Sequence, residues 1–87
     1  MEVSLAKVLP FARPAEADEP RLDVSLVKGD QRRRYVVAPV GESAWESRVE
    51  TGADTERRVL SRAGARRRKA QFELEIATRL SAGWIAE

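Results

Sequence analysis

Three runs of cations are the residues whose type and spacing carry chemistry in this sequence: Arg32-Arg33-Arg34, Arg57-Arg58 and Arg66-Arg67-Arg68-Lys69. A guanidinium is a planar fork that meets two oxygens of a phosphate or carboxylate at once, whereas an ammonium is a point charge. Of the 16 basic residues 13 are arginine, so the chemistry on offer is anion recognition. The last run is read as opening a C-terminal helix. Cations there oppose the helix dipole, each at about 0.3–1 kcal/mol when exposed. A bound anion would reverse that, since the free N–H groups and the guanidinium groups would face the same charge. The plain alternative is a solvated charged face.

Catalytic chemistry is poorly provided for. There is no cysteine and no histidine. That removes thiolate nucleophiles, zinc sites with sulfur or nitrogen ligands and histidine acid–base mechanisms. The serines lack an activating histidine, and none lies in a G-x-S-x-G elbow. Asp18-Glu19 falls in a Pro-rich stretch unsuited to a catalytic dyad or a carboxylate metal site. No glycine-rich phosphate-cradling pattern is present. The expectation is a non-enzymatic protein with no cofactor and no metal.

The five aromatic residues, Phe11, Tyr35, Trp45, Phe72 and Trp84, are candidates for stacking on bases. Phe72 lies on a helical apolar stripe and Tyr35 in an apolar strand, which makes both core residues. Glu42 and Glu46 near Trp45 repel phosphate, so a structural role suits it better. Recognition would therefore rest on charge.

The elements that must position these groups follow from periodicity. Leu22, Val24 and Leu26 alternate with Asp23 and Ser25, the period of a half-buried strand. Gly29-Asp30 is a hairpin turn leading into a second strand, apolar on both faces from Tyr35 to Val40 and hence central. Pro39 ends pairing on its side. Residues 44–50 and 56–61 read as a second hairpin around a turn at 51–55, or else as two short helices. From Ala65 to Ala82 good helix formers run without Gly or Pro. Phe72, Ile76 and Leu80 make its apolar stripe in line with Ala65, Glu75 and Arg79 pair on the opposite side, and Gly83 is the C-terminal cap. The fold class is α+β: a small antiparallel β-sheet of two hairpins packed by one C-terminal α-helix. Residues 1–20 form an N-terminal segment and a Pro-, Ala- and acid-rich arm, and residues 21–87 a single small domain.

Length and composition agree. At 87 residues and 43% hydrophobic, with alanine a third of that share, the chain supports one modest core and no internal cavity of enzyme size. No stretch approaches the roughly 20 apolar residues that span a bilayer, and a cytoplasmic location is expected. The net charge of +2 hides segregation: residues 31–69 hold 11 basic and 5 acidic groups, while both flanks are mildly acidic.

Two resemblances are visible. Arg34-Tyr35-Val36-Val37-Ala38-Pro39, with Gly41, resembles a strand of the large two-domain ribosomal-RNA-binding protein of the bacterial large subunit, and Arg58 to Ala65 is similar to a second loop of that family. The long β-rich stretch that separates them there is missing here. Trp45, Glu50-Thr51-Gly52, Phe72, Arg79 and Gly83-Trp84 are similar in order to the landmarks of WGR domains, modules of sheet and helix associated with DNA ends. The defining Trp-Gly-Arg reads Trp45-Glu46-Ser47 in this chain. Neither resemblance is adopted, and no site residue is carried over from either. Both point towards nucleic acid.

The functional expectation is association with nucleic acid, DNA or RNA, through Arg32, Arg33, Arg34, Arg57, Arg58, Arg66, Arg67, Arg68 and Lys69 contacting phosphates. The alternative is a protein-interaction module, an assembly subunit or phage-type inhibitor of host machinery, using the same surface and the N-terminal arm against an acidic protein. One helix cannot cover both faces of the sheet, so either the N-terminal segment (Val3, Leu5, Val8, Leu9) folds back over the open side or a second copy covers it, and a homo-oligomer or larger assembly is expected.

Overall fold

The computed structural model describes residues 20–87, and the N-terminal segment and arm assigned to residues 1–20 lie outside that range except for Pro20. Five strands and one helix follow in chain order: β1 Leu22–Lys28, β2 Gln31–Pro39, β3 Trp45–Thr51, β4 Asp54–Leu60, α1 Arg62–Ser81 and β5 Ile85–Ala86. The strands form one antiparallel sheet in the order β4-β3-β2-β1-β5, and α1 packs on one face of it. This is the expected α+β architecture with one further edge strand.

Each hairpin has a local cause. Gly29, at φ 59°, supplies the left-handed backbone a two-residue turn requires, and Lys28 pairs with Gln31 across it. Residues 44–61 adopt the hairpin and not the two helices: Gly52-Ala53 is the whole loop, closed by Thr51 opposite Asp54. The turn is thus shorter than the 51–55 expected, and β4 begins two residues earlier.

Strand alternation sorts the side chains. Leu26, Tyr35, Val37 and Trp45 point to the helix and are buried with Ala65, Phe72 and Ile76 of α1. The Tyr35 and Phe72 rings lie 5.1 Å apart, tilted by 56°. Truncating Phe72 in so small a core would remove about 3–5 kcal/mol.

The helix departs from expectation in three respects. It starts at Arg62, capped by Ser61, whose Oγ accepts from the Gly64 N–H at 3.2 Å. The Arg66–Lys69 run therefore lies beyond the first turn and does not open the helix. Leu80 is 45% exposed and leaves the buried stripe. Residues spaced by four drift about 40° per step, so Leu80 is turned about 80° from Phe72. Arg79, seven residues on from Phe72, is turned only about 20° and faces the sheet. Glu75 and Arg79 consequently lie on the sheet side and not the opposite one.

Gly83, at φ 101°, closes α1 as expected: the Trp84 N–H donates to the Arg79 carbonyl and the Gly83 N–H to the Leu80 carbonyl. That reversal delivers Ile85 and Ala86 to the free edge of β1. Lys28 Nζ donates to the Ala82 carbonyl at 2.8 Å, tying the first hairpin to the helix end.

Candidate nucleic-acid interface

The three arginine runs meet different fates. In Arg32-Arg33-Arg34 the strand period sends Arg33 to the helix face and its neighbours to the open face. Arg33 Nε donates to the Tyr35 hydroxyl at 2.8 Å, and its guanidinium lies 3.6 Å from Glu75. Arg32 pairs with Glu87 at 2.9 Å. Arg34 grips Asp23 with two hydrogen bonds of 2.9 and 2.8 Å and reaches Glu50 at 3.9 Å. These bonds hold the Asp23 carboxyl below the usual carboxylate range and raise the Arg34 guanidinium further. The run spans two faces, and every member is occupied by a carboxylate of the same chain.

The open face continues the pattern. Arg48 lies 3.1 Å from Glu50 and 3.7 Å from Glu46, extending Asp23, Arg34 and Glu50 into a ladder of alternating charge. Val36 sits within it, with Asp23 and Arg48 as cross-strand neighbours, and is 7% exposed. The second apolar face expected from Tyr35 to Val40 is thus largely a charged one. Long arginine stems can shield the apolar residues between them. Val40 lies beyond the end of β2 and is exposed.

The other two runs come together. Glu56 of β4 takes Arg58 and Arg68 on its two oxygens, each at 3.3 Å. One carboxylate therefore joins β4 to the first half of α1. Arg68 also bonds Gln71 and covers the Phe72 ring at 4.7 Å. Lys69 is 3.8 Å from Glu73. Arg57 projects from the open face of β4 opposite Arg48, a like charge. Arg66 and Arg67 are exposed on α1. Among the described residues no ion pair or hydrogen bond occupies Arg57 or Arg67. Successive residues are about 100° apart round a helix, so Arg66, Arg67 and Arg68 wrap its exposed side as a ribbon.

Residues 56–69 hold seven basic side chains against the single carboxylate of Glu56. The seventh cation, Arg62, was not among the sequence candidates. Its guanidinium lies 5.0 Å over the Trp45 ring, and the visible signal was its place directly after the Ser61 cap.

Phe11 lies outside the described residues, and the four aromatic residues within them take no part. Tyr35, Trp45 and Phe72 are buried, and Trp84 is half-buried with Arg79 5.1 Å over its ring. Tyr35 is a polar node: its hydroxyl accepts from Arg33 Nε and from Arg79 Nε at 2.9 Å and donates to Glu75. Burial first, and then the bond to Glu75, push its ionisation above the ordinary phenol value, against the pull of Arg79 and Arg33.

A surface cleft of about 460 Å³ lies between the hairpin ends and the end of α1, with Asp30, Arg32, Arg33, Arg79 and Trp84 in its wall. Two of its cations, Arg32 and Arg33, are already paired with Glu87 and Glu75, which weakens its attraction for an anion. Among the described residues no group of three acidic side chains is placed to hold a metal, and no helix is long and apolar enough to cross a membrane. Comparison with protein-family models, curated proteins and solved structures gives no match.

Proposed function

We propose that this chain is a non-enzymatic, cytoplasmic protein that associates with nucleic acid through the basic ribbon of β4 and the first half of α1. Arg57, Arg58, Arg66, Arg67, Arg68 and Lys69 contact phosphates, with Arg62 beside them. Arg32, Arg33 and Arg34 hold the fold together instead. The observation that carries this reading is the shared Glu56 carboxylate, which gathers runs on two different elements into one surface and neutralises only part of it.

Binding of this kind is electrostatic and reads no sequence, because among the described residues no aromatic is fully exposed for stacking and no helix side chain is singled out for a base edge. Each phosphate neutralised on duplex DNA steepens the fall of log K with log salt by about 0.9. Titration of labelled duplex DNA, single-stranded DNA and RNA at low salt, with polyglutamate as a competing acidic polypeptide, tests it. Retention of all nucleic acids, released by salt, is expected. Failure to bind any of them, with firm binding to polyglutamate, would transfer the surface to an acidic protein partner.

A further inference from the structure

We infer that β4 is a self-pairing edge, through which two copies of the chain join their sheets into one ten-stranded antiparallel sheet. The two edges of the sheet differ sharply. β5 is only two residues long, whereas β4 runs for seven residues, six of them exposed, in unbroken register with β3 and without proline. Among the described residues no further strand pairs with that edge, so it offers a row of unpaired N–H and C=O groups.

The hairpin loop fixes which groups those are. A two-residue loop is closed by a hydrogen-bonded pair, here Thr51 and Asp54. Hydrogen-bonded and non-bonded pairs alternate, so Asp54, Glu56, Arg58 and Leu60 direct their backbone groups to β3. Thr55, Arg57 and Val59 direct theirs outward.

A two-fold axis perpendicular to the sheet sets one residue opposite its own copy, and the charges of β4 choose which. Centring on Glu56 or on Arg58 sets like charges opposite on the helix face, and centring on Thr55 opposes Asp54 to Glu56. Centring on Val59 pairs only half the strand. Centring on Arg57 sets Glu56 opposite Arg58 twice on the helix face and Thr55 opposite Val59 twice on the open face. It also lets Thr55, Arg57 and Val59 form three hydrogen-bonded pairs with their counterparts. Val59, 71% exposed in the single chain, gains a β-branched neighbour. The one opposed element is Arg57 against its own copy.

Three variants test the register by sedimentation equilibrium. Val59→Pro removes an outward N–H and leaves the β3 ladder intact. It is expected to be monomeric, with an unchanged circular dichroism spectrum, at concentrations where the natural chain is a dimer. Arg57→Thr removes the like charge and is expected to tighten the dimer by roughly fivefold. The chain has no cysteine, so Arg57→Cys places the only thiol on the axis, with Cα atoms about 5.5 Å apart, a span that fits a disulfide. Mild oxidation should link that variant readily and Asp30→Cys, at the distant hairpin, hardly at all. A natural chain that stays monomeric to millimolar concentration overturns the inference. So does a Val59→Pro chain that dimerises as before, or equal cross-linking at positions 57 and 30.

Discussion

Removing one oxygen atom, by Tyr35→Phe, exposes how much of this fold hangs on a single polar contact. The hydroxyl serves Arg33, Arg79 and Glu75 in a fully buried residue. Its loss should cost about 1–3 kcal/mol, read as a shift of the urea midpoint. Tyr35 is the sole tyrosine, so absorbance at 295 nm reports its ionisation alone. The folded value is raised, so stability tied to the neutral phenol is complete below about pH 10. It is lost as pH climbs through the folded value. The native chain should titrate at higher pH than the urea-unfolded chain; coincident curves would contradict the buried node. Asp23 has the opposite sign: its lowered value gives stability above the ordinary carboxylate range that disappears on acidification. That contribution is small, because Asp23 and Arg34 are both substantially exposed. The sequence announced Tyr35 as a core residue through its apolar neighbours. It hid the node, because Glu75 and Arg79 lie 40 and 44 residues away and belong to the sheet side only when the seven-residue spacing from Phe72 is followed round the helix.

At the scale of the element, legibility followed the strength of the local signal. Gly29-Asp30 and Gly83 were readable because a positive φ leaves few other residues suitable. Gly83→Ala is expected to destabilise by roughly 1–2 kcal/mol, because alanine is strained at φ 101°. The helix start was misplaced by three residues, since Gly64 lies among them and lowers helix propensity, while Ser61 lacks the Glu or Gln three residues on that would complete a capping box. Ser61→Ala should cost about 1 kcal/mol and show as a lower melting temperature with the same folded spectrum. β5 escaped notice because two residues carry no periodicity. Its existence depends on the helix end releasing the chain beside β1, which is a property of the tertiary structure.

At the scale of the whole molecule, the basic runs differ in how far carboxylates of the same chain satisfy them. Composition placed an excess of cations in residues 31–69, but it could not say which would be satisfied internally. Arg32 is held by a carboxylate 55 residues away, and Arg34 by one across the hairpin. Only the fold brings such partners together. The central claim is that β4 and the first half of α1 bind phosphate while Arg32 to Arg34 do not. The most direct test compares the salt dependence of duplex DNA binding for two variants, each losing three charges: Arg57, Arg66 and Arg67 to Gln, and Arg32, Arg34 and Arg48 to Gln. At a salt concentration where both are shown to be folded, the first should bind more weakly, with a log–log slope shallower by up to about 3. The second should keep the natural slope. The opposite ranking, or equal losses in both, would contradict the division of charge drawn from the structure.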